Sequence, residues 1–160
     1  MTTHPNRSVM EFPHDLEIVH KRDFEAPIGL VFDVFTQEEH VRQTFAPFDE
    51  TVTVCEIDLR VGGAYHFVFV TPDGVECSFR GTYLELDPPT RLVATWHFDG
   101  WPDADAVETV ELSEVDGRTA LSYRLRFTDQ TGRNRMTKYD GLESNFDNIA
   151  DYLGTLTAQA

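Results

Sequence analysis

The chain has 160 residues, 41% hydrophobic and 12% aromatic, enough for one sizeable core and too few for two ordinary domains. Its 28 acidic against 13 basic residues give a formal net charge of -15, which repels phosphate backbones and anionic headgroups, so neither nucleic acid nor a membrane surface is an expected partner. No apolar run approaches the roughly 20 residues of a bilayer span, and the start lacks the basic and apolar regions of a signal peptide, so a cytoplasmic location is expected.

Residues 1–14 are polar and aperiodic and are expected to form a flexible lead-in to one domain over residues 15–160. Residues 16–24 read as a strand. Glu25-Ala26-Pro27 then opens a helical face of Ile28, Val31, Phe32 and Phe35, with Pro near its favoured place at the helix start, and residues 38–44 read as a second short helix. From residue 52 to residue 127 the pattern has period two. Turn signals at Gly62-Gly63, Pro72-Asp73-Gly74, Pro88-Pro89 and Asp116-Gly117 divide it into about six successive antiparallel strands. Gly100-Trp101-Pro102 falls between turn formers and is expected at a sheet edge or rim. Met136, Tyr139, Leu142, Phe146, Ile149, Leu153 and Leu156 recur at three- and four-residue steps, one apolar stripe on one helix over residues 136–156. Such a helix, about 30 Å long, needs a broad surface to cover, and the strand run supplies it. The expected fold is α+β: a curved antiparallel sheet of about seven strands wrapped around a long C-terminal helix, with two short helices after the first strand.

Chemistry-bearing constellations are scarce. Cys55 and Cys77 lie in strand segments without CxxC spacing and read as reduced packing residues. His4, His14, His20, His40, His66 and His97 show no helical i, i+4 pair, so no metal site is expected. Alternation puts His66 and His97 on the face opposite Tyr65, Phe67, Trp96 and Phe98. No Gly-x-Ser-x-Gly elbow is present, and Gly62-Gly63 stands between two strands rather than before a helix, so no catalytic residue and no nucleotide or other cofactor is expected.

What stands out is aromatic supply at alternating positions. Phe67, Tyr83, Trp96 and Tyr123 from the sheet, Tyr139 and Phe146 from the helix, and Trp101 near a mouth form the candidate ligand-binding set. Tyrosine hydroxyls and an indole N–H can orient a small apolar molecule in a concave apolar site. Arg80, Arg124 and Arg126 alternate with these aromatics and are expected to face solvent, one of them being able to greet an anionic head at the rim. Gly81 and Gly141 bring no side chain and are expected to leave space beside that bulk.

The stretch Asp58-Leu59-Arg60-Val61-Gly62-Gly63-Ala64-Tyr65 resembles the D-x-R-x-G-G-x-aromatic signature of bacterial homologues of the activator of the heat-shock protein 90 ATPase, within the SRPBCC or START-like superfamily. Gly81 to Trp96, with Glu85, Pro88-Pro89, Arg91-Leu92-Val93 and Thr95-Trp96, is similar to the family's G-x-(Y/V)-x-E-(I/L)-x-P-P-x-R-L-V-x-T-W block. Gly117-Arg118-Thr119-Ala120-Leu121 resembles its G-x-T-x-L strand, and Phe24-Glu25-Ala26-Pro27 its first strand and helix. The resemblance implies the helix-grip fold over roughly residues 18–156. Where relatives carry a paired-Trp segment and a Gly-Trp pair, this chain has Thr44-Phe45-Ala46-Pro47-Phe48 and Gly141-Leu142. Binding a small hydrophobic molecule between sheet and helix is the leading expectation. A polyketide cyclase-like enzyme using the same cavity and a co-chaperone-like interaction module are the alternatives, and a homodimer is left open.

Overall fold

The computed structural model describes residues 8–46, 50–138 and 141–158. Along the chain run β1 (Val9–Glu11), β2 (Glu17–Phe24), α1 (Ile28–Thr36), α2 (Glu38–Thr44), β3 (Thr51–Ile57), β4 (Ala64–Val70), β5 (Glu76–Asp87), β6 (Arg91–Phe98), β7 (Ala106–Val115), β8 (Arg118–Phe127), α3 (Gln130–Thr137) and α4 (Gly141–Ala158). The strands form one antiparallel sheet in the order β1-β2-β8-β7-β6-β5-β4-β3. The expected run of six successive strands is β3 to β8. The eighth strand is β1, paired with β2 through Met10 and His20, inside the stretch read from sequence as a flexible lead-in.

Alternation sorts each strand into an inner and an outer row. On β8, Thr119, Leu121, Tyr123, Leu125 and Phe127 are all buried, and the residues between them are not. On β7 the inner row is Ala106, Glu108, Val110 and Leu112. The sheet bends where its ladder is interrupted. Register shifts occur between Val52 and Val54 and between Tyr83 and Glu85, and such bulges raise local twist. At Thr82 the backbone N–H turns to the Thr95 hydroxyl at 2.8 Å, while the freed Thr95 carbonyl accepts from the Tyr65 hydroxyl at 2.9 Å. Gly81 permits this: a Cβ there would lie 1.9 Å from the Thr95 carbonyl oxygen and 2.5 Å from the Tyr65 ring. The space expected beside Gly81 is therefore filled by Tyr65.

Helix α1 starts after Pro27, and its first N–H, on Ile28, donates to the Glu114 carboxylate at 2.7 Å, satisfying one of the orphan donors of a helix start. The end of α2 is tied to α4 by side-chain amides. Asn145 donates to the Thr44 carbonyl at 2.7 Å and Asn148 to the Ala46 carbonyl at 2.8 Å.

The single helix expected over residues 136–156 is two. Helix α3 is N-capped by Asp129, which accepts from the Gly132 N–H, and ends at Lys138. Helix α4 begins at Gly141, so Met136 belongs to α3 and Leu142 to α4. Gly132 lets α3 press close: a Cβ there would come within 2.9 Å of both Ala104 and Phe127. Helix α4 lies on the concave side, where Phe146, Ile149 and Leu153 are fully buried. It is also held by charge. Arg22 of β2, its side chain wholly buried, reaches Glu143 at 3.2 Å and Asp147 at 2.8 Å. Burial also pulls the neighbouring His20 imidazole below its ordinary pKa, partly opposed by Glu143. Among the described residues no helix is long and apolar enough to cross a membrane.

Candidate functional site

A long helix laid over a bent sheet touches it closely at the ends, and the middle must be filled by large side chains or left open. Here it is left partly open. A cavity of about 100 Å3 lies between the concave face of β4 to β8 and the helices. The sheet contributes Phe67, Phe79, Trp96 and Val110 to a mostly aromatic wall, and Val34, Phe35, Leu142 and Ile149 close it from the helical side. Phe45, just after α2, forms a half-buried flank, its ring 4.9 Å from Phe67 and 5.2 Å from Phe79.

One carboxyl interrupts this wall. Glu108, second in the inward row Ala106, Glu108, Val110, Leu112, lines the cavity. The Tyr123 hydroxyl donates to its carboxylate at 2.5 Å. The Tyr65 hydroxyl also stands beside Glu108, and Tyr83 is near enough to feel its charge. Burial pushes the Glu108 carboxyl up to about 7, with the tyrosine hydroxyls pulling the other way. Burial and the Glu108 charge in turn hold Tyr65 and Tyr123 well above the ordinary phenol range. The result is a carboxyl balanced between its two protonation states near neutral pH, inside a largely apolar chamber.

Of the candidate residues, Phe67, Tyr83, Trp96 and Tyr123 line this cavity. Phe146 stands behind it, fully buried, with its ring edge-on to Tyr123 and His20 at 5.5 Å from each. Trp101 is half-buried and packs edge-on against Phe98 at 5.2 Å rather than on the wall. Tyr139 lies outside the described residues. Glu108 and Tyr65 also line the cavity and stand outside the candidate set drawn from the sequence. The signal was available: the period-two phase that buries Ala106, Val110 and Leu112 puts residue 108 in the same inward row.

Other titratable groups sit apart. His66, on the outer face, pairs with Ser78 at 2.8 Å, and His97 lies between Asp105 at 2.6 Å and Asp99 at 3.3 Å. Burial pushes the Cys55 thiol up to about 11 and raises Cys77 too, away from thiolate chemistry. Arg124 and Arg126 reach Glu17 at 3.3 and 3.0 Å, and Arg80 reaches Asp99 at 3.6 Å; none lines the cavity. Among the described residues no group of three or more His, Cys, Asp and Glu could hold a metal ion.

An antiparallel sheet curved about a C-terminal helix, with a cavity between them, is the helix-grip architecture, and solved structures share it. A protein from Rhodobacter sphaeroides superposes with a TM-score of 0.87 at 17% identity, covering 94% of this chain and 99% of that one. One from Chromobacterium violaceum gives 0.77 at 28% identity, covering 88% and 98%, and one from Staphylococcus epidermidis 0.78 at 25%, covering 92% and 94%. A search of curated proteins finds no match. The family model described as activator of Hsp90 ATPase homolog 1-like protein matches residues 25–154, and the chain belongs to that family.

Proposed function

We propose that this protein binds a small, largely apolar molecule in the cavity between its sheet and helix α4. The observation that carries the reading is the chamber itself: an aromatic wall with one carboxyl and its tyrosine partners at a single spot, the composition of sites that orient a ligand. Its size limits the occupant. At about 100 Å3 it is smaller than the engineered cavity of roughly 150 Å3 that admits benzene, so a short chain of a few heavy atoms fits.

Native mass spectrometry of the purified protein tests this. A small-molecule adduct that strips off on collisional activation, and is absent from a folded Val110→Phe variant whose added ring fills the space, supports the reading. Bare protein in both samples, with the variant no different from wild type in any small-molecule binding, counts against it.

A second reading draws on Glu108. A carboxyl displaced to about 7 is matched to proton transfer near neutral pH, as a polyketide cyclase-like enzyme would need. An activity whose rate titrates near that pH and disappears in Glu108→Gln would favour it.

A further inference from the structure

The cavity wall is chemically one-sided. Glu108 is its only formally charged side chain among the described residues, and no Lys, Arg or His joins it. An anionic occupant would meet a carboxylate with no counter-charge. A purely apolar occupant would leave that carboxyl with no partner beyond the tyrosines. We infer that the occupant is a small primary alkyl amine whose ammonium pairs with Glu108 while its short apolar body fills the aromatic chamber; this rests on the cavity-binding reading above.

The donor and acceptor inventory fits. An ammonium brings three donors and no acceptor. Glu108 offers carboxylate oxygens, of which one already accepts from Tyr123. The Tyr65 hydroxyl, within reach of both the Thr95 carbonyl and Glu108, adds an acceptor oxygen at the same spot. Ionised donor–acceptor pairs of this kind form the stronger hydrogen bonds, and the aromatic faces around them attract a cation further. The net charge of -15 draws cations toward the protein and repels anions before either reaches the site.

Pairing also sets a pH dependence. The groups facing Glu108 are Tyr65 from β4, Tyr83 from β5 and Tyr123 from β8, all held protonated. The helices turn apolar side chains to the cavity apart from Thr44 and Asn145, which do not titrate. Glu108 is therefore the group whose ionisation governs amine uptake. In the empty cavity it is protonated below about pH 7, and an ammonium must displace that proton.

Three probes of matched size, n-butylamine, n-butanol and butyrate, separate the outcomes when titrated into the protein with the Trp96 indole N–H followed by NMR. The expected order is butylamine tighter than butanol by about tenfold or more, with no saturable shift from butyrate. Butylamine affinity should fall by up to about tenfold for each pH unit below 7. In Glu108→Gln, butylamine should bind no better than butanol, without that pH dependence. Butanol or butyrate binding as tightly as butylamine in the wild type would overturn the amine inference and leave the cavity reading standing. Saturation by none of the three would overturn both. The wild-type comparison decides even if the variant fails to fold.

Discussion

Replacing Glu108 by Gln should change how the stability of the protein depends on pH, in a direction fixed by the site. The folded carboxyl titrates at about 7 against an ordinary value of 4.5. Below the lower value it is protonated in both folded and unfolded chains and adds nothing. As pH rises from there, the unfolded chain releases its proton while the folded one holds it, so stability is lost progressively and the loss is complete above about 7. Holding the carboxyl up by that interval corresponds to about 3 kcal/mol at most. Glutamine keeps the shape and one acceptor oxygen for Tyr123 but has no proton to lose. Urea unfolding of both proteins between about pH 4 and pH 8 reads the difference, because the Gln variant should gain on the wild type by up to about 3 kcal/mol across that span. Two profiles that stay parallel would show that Glu108 is not held in a dry chamber, and would remove the electrostatic basis of the site.

Two further outcomes follow from the packing. Phe146→Ala should destabilise by about 3 to 5 kcal/mol in the same assay, since the ring is fully buried between Tyr123 and His20 and is backed by protein rather than by the cavity; a much smaller loss would place open space where the structure has contact. His66→Ala and His97→Ala should leave stability within about 1 kcal/mol and probe binding unchanged, because both side chains lie on the outer face; loss of binding in either variant would put a histidine in the site.

Period-two stretches were the most legible part of the sequence. The strands from β3 to β8 follow the alternation from Val52 to Phe127, and helix α2 spans Glu38–Thr44, the residues its pattern indicated. A periodic pattern reports a face but not its continuity. Met136 and Leu142 keep the helical spacing of one stripe although they stand on different helices, because α3 has its own N-cap at Asp129 and its own end at Lys138. Strand β1 was hidden for another reason: Val9, Met10 and Glu11 are exposed and carry no alternation, and their order comes from backbone pairing with β2. At the site, reading aromatics as cavity wall found Phe67, Tyr83, Trp96 and Tyr123 but not which aromatics fill the core instead. Phe146 and Trp101 differ from those four only in what stands opposite them. Glu108 and Arg22 were overlooked because charged residues are normally placed outside, while each occupies an inward position in its own strand and is paired with residues distant in sequence.

The central claim, that this fold keeps an accessible apolar chamber able to hold a small molecule, is tested most directly by a crystal structure of the protein under xenon pressure. Apolar cavities of this kind take up xenon while tightly filled cores do not. Xenon density is expected between Trp96, Tyr83 and Tyr123 of the sheet and Leu142 and Ile149 of helix α4. Side chains closed over that space with no xenon in it would show a filled core in place of a binding chamber.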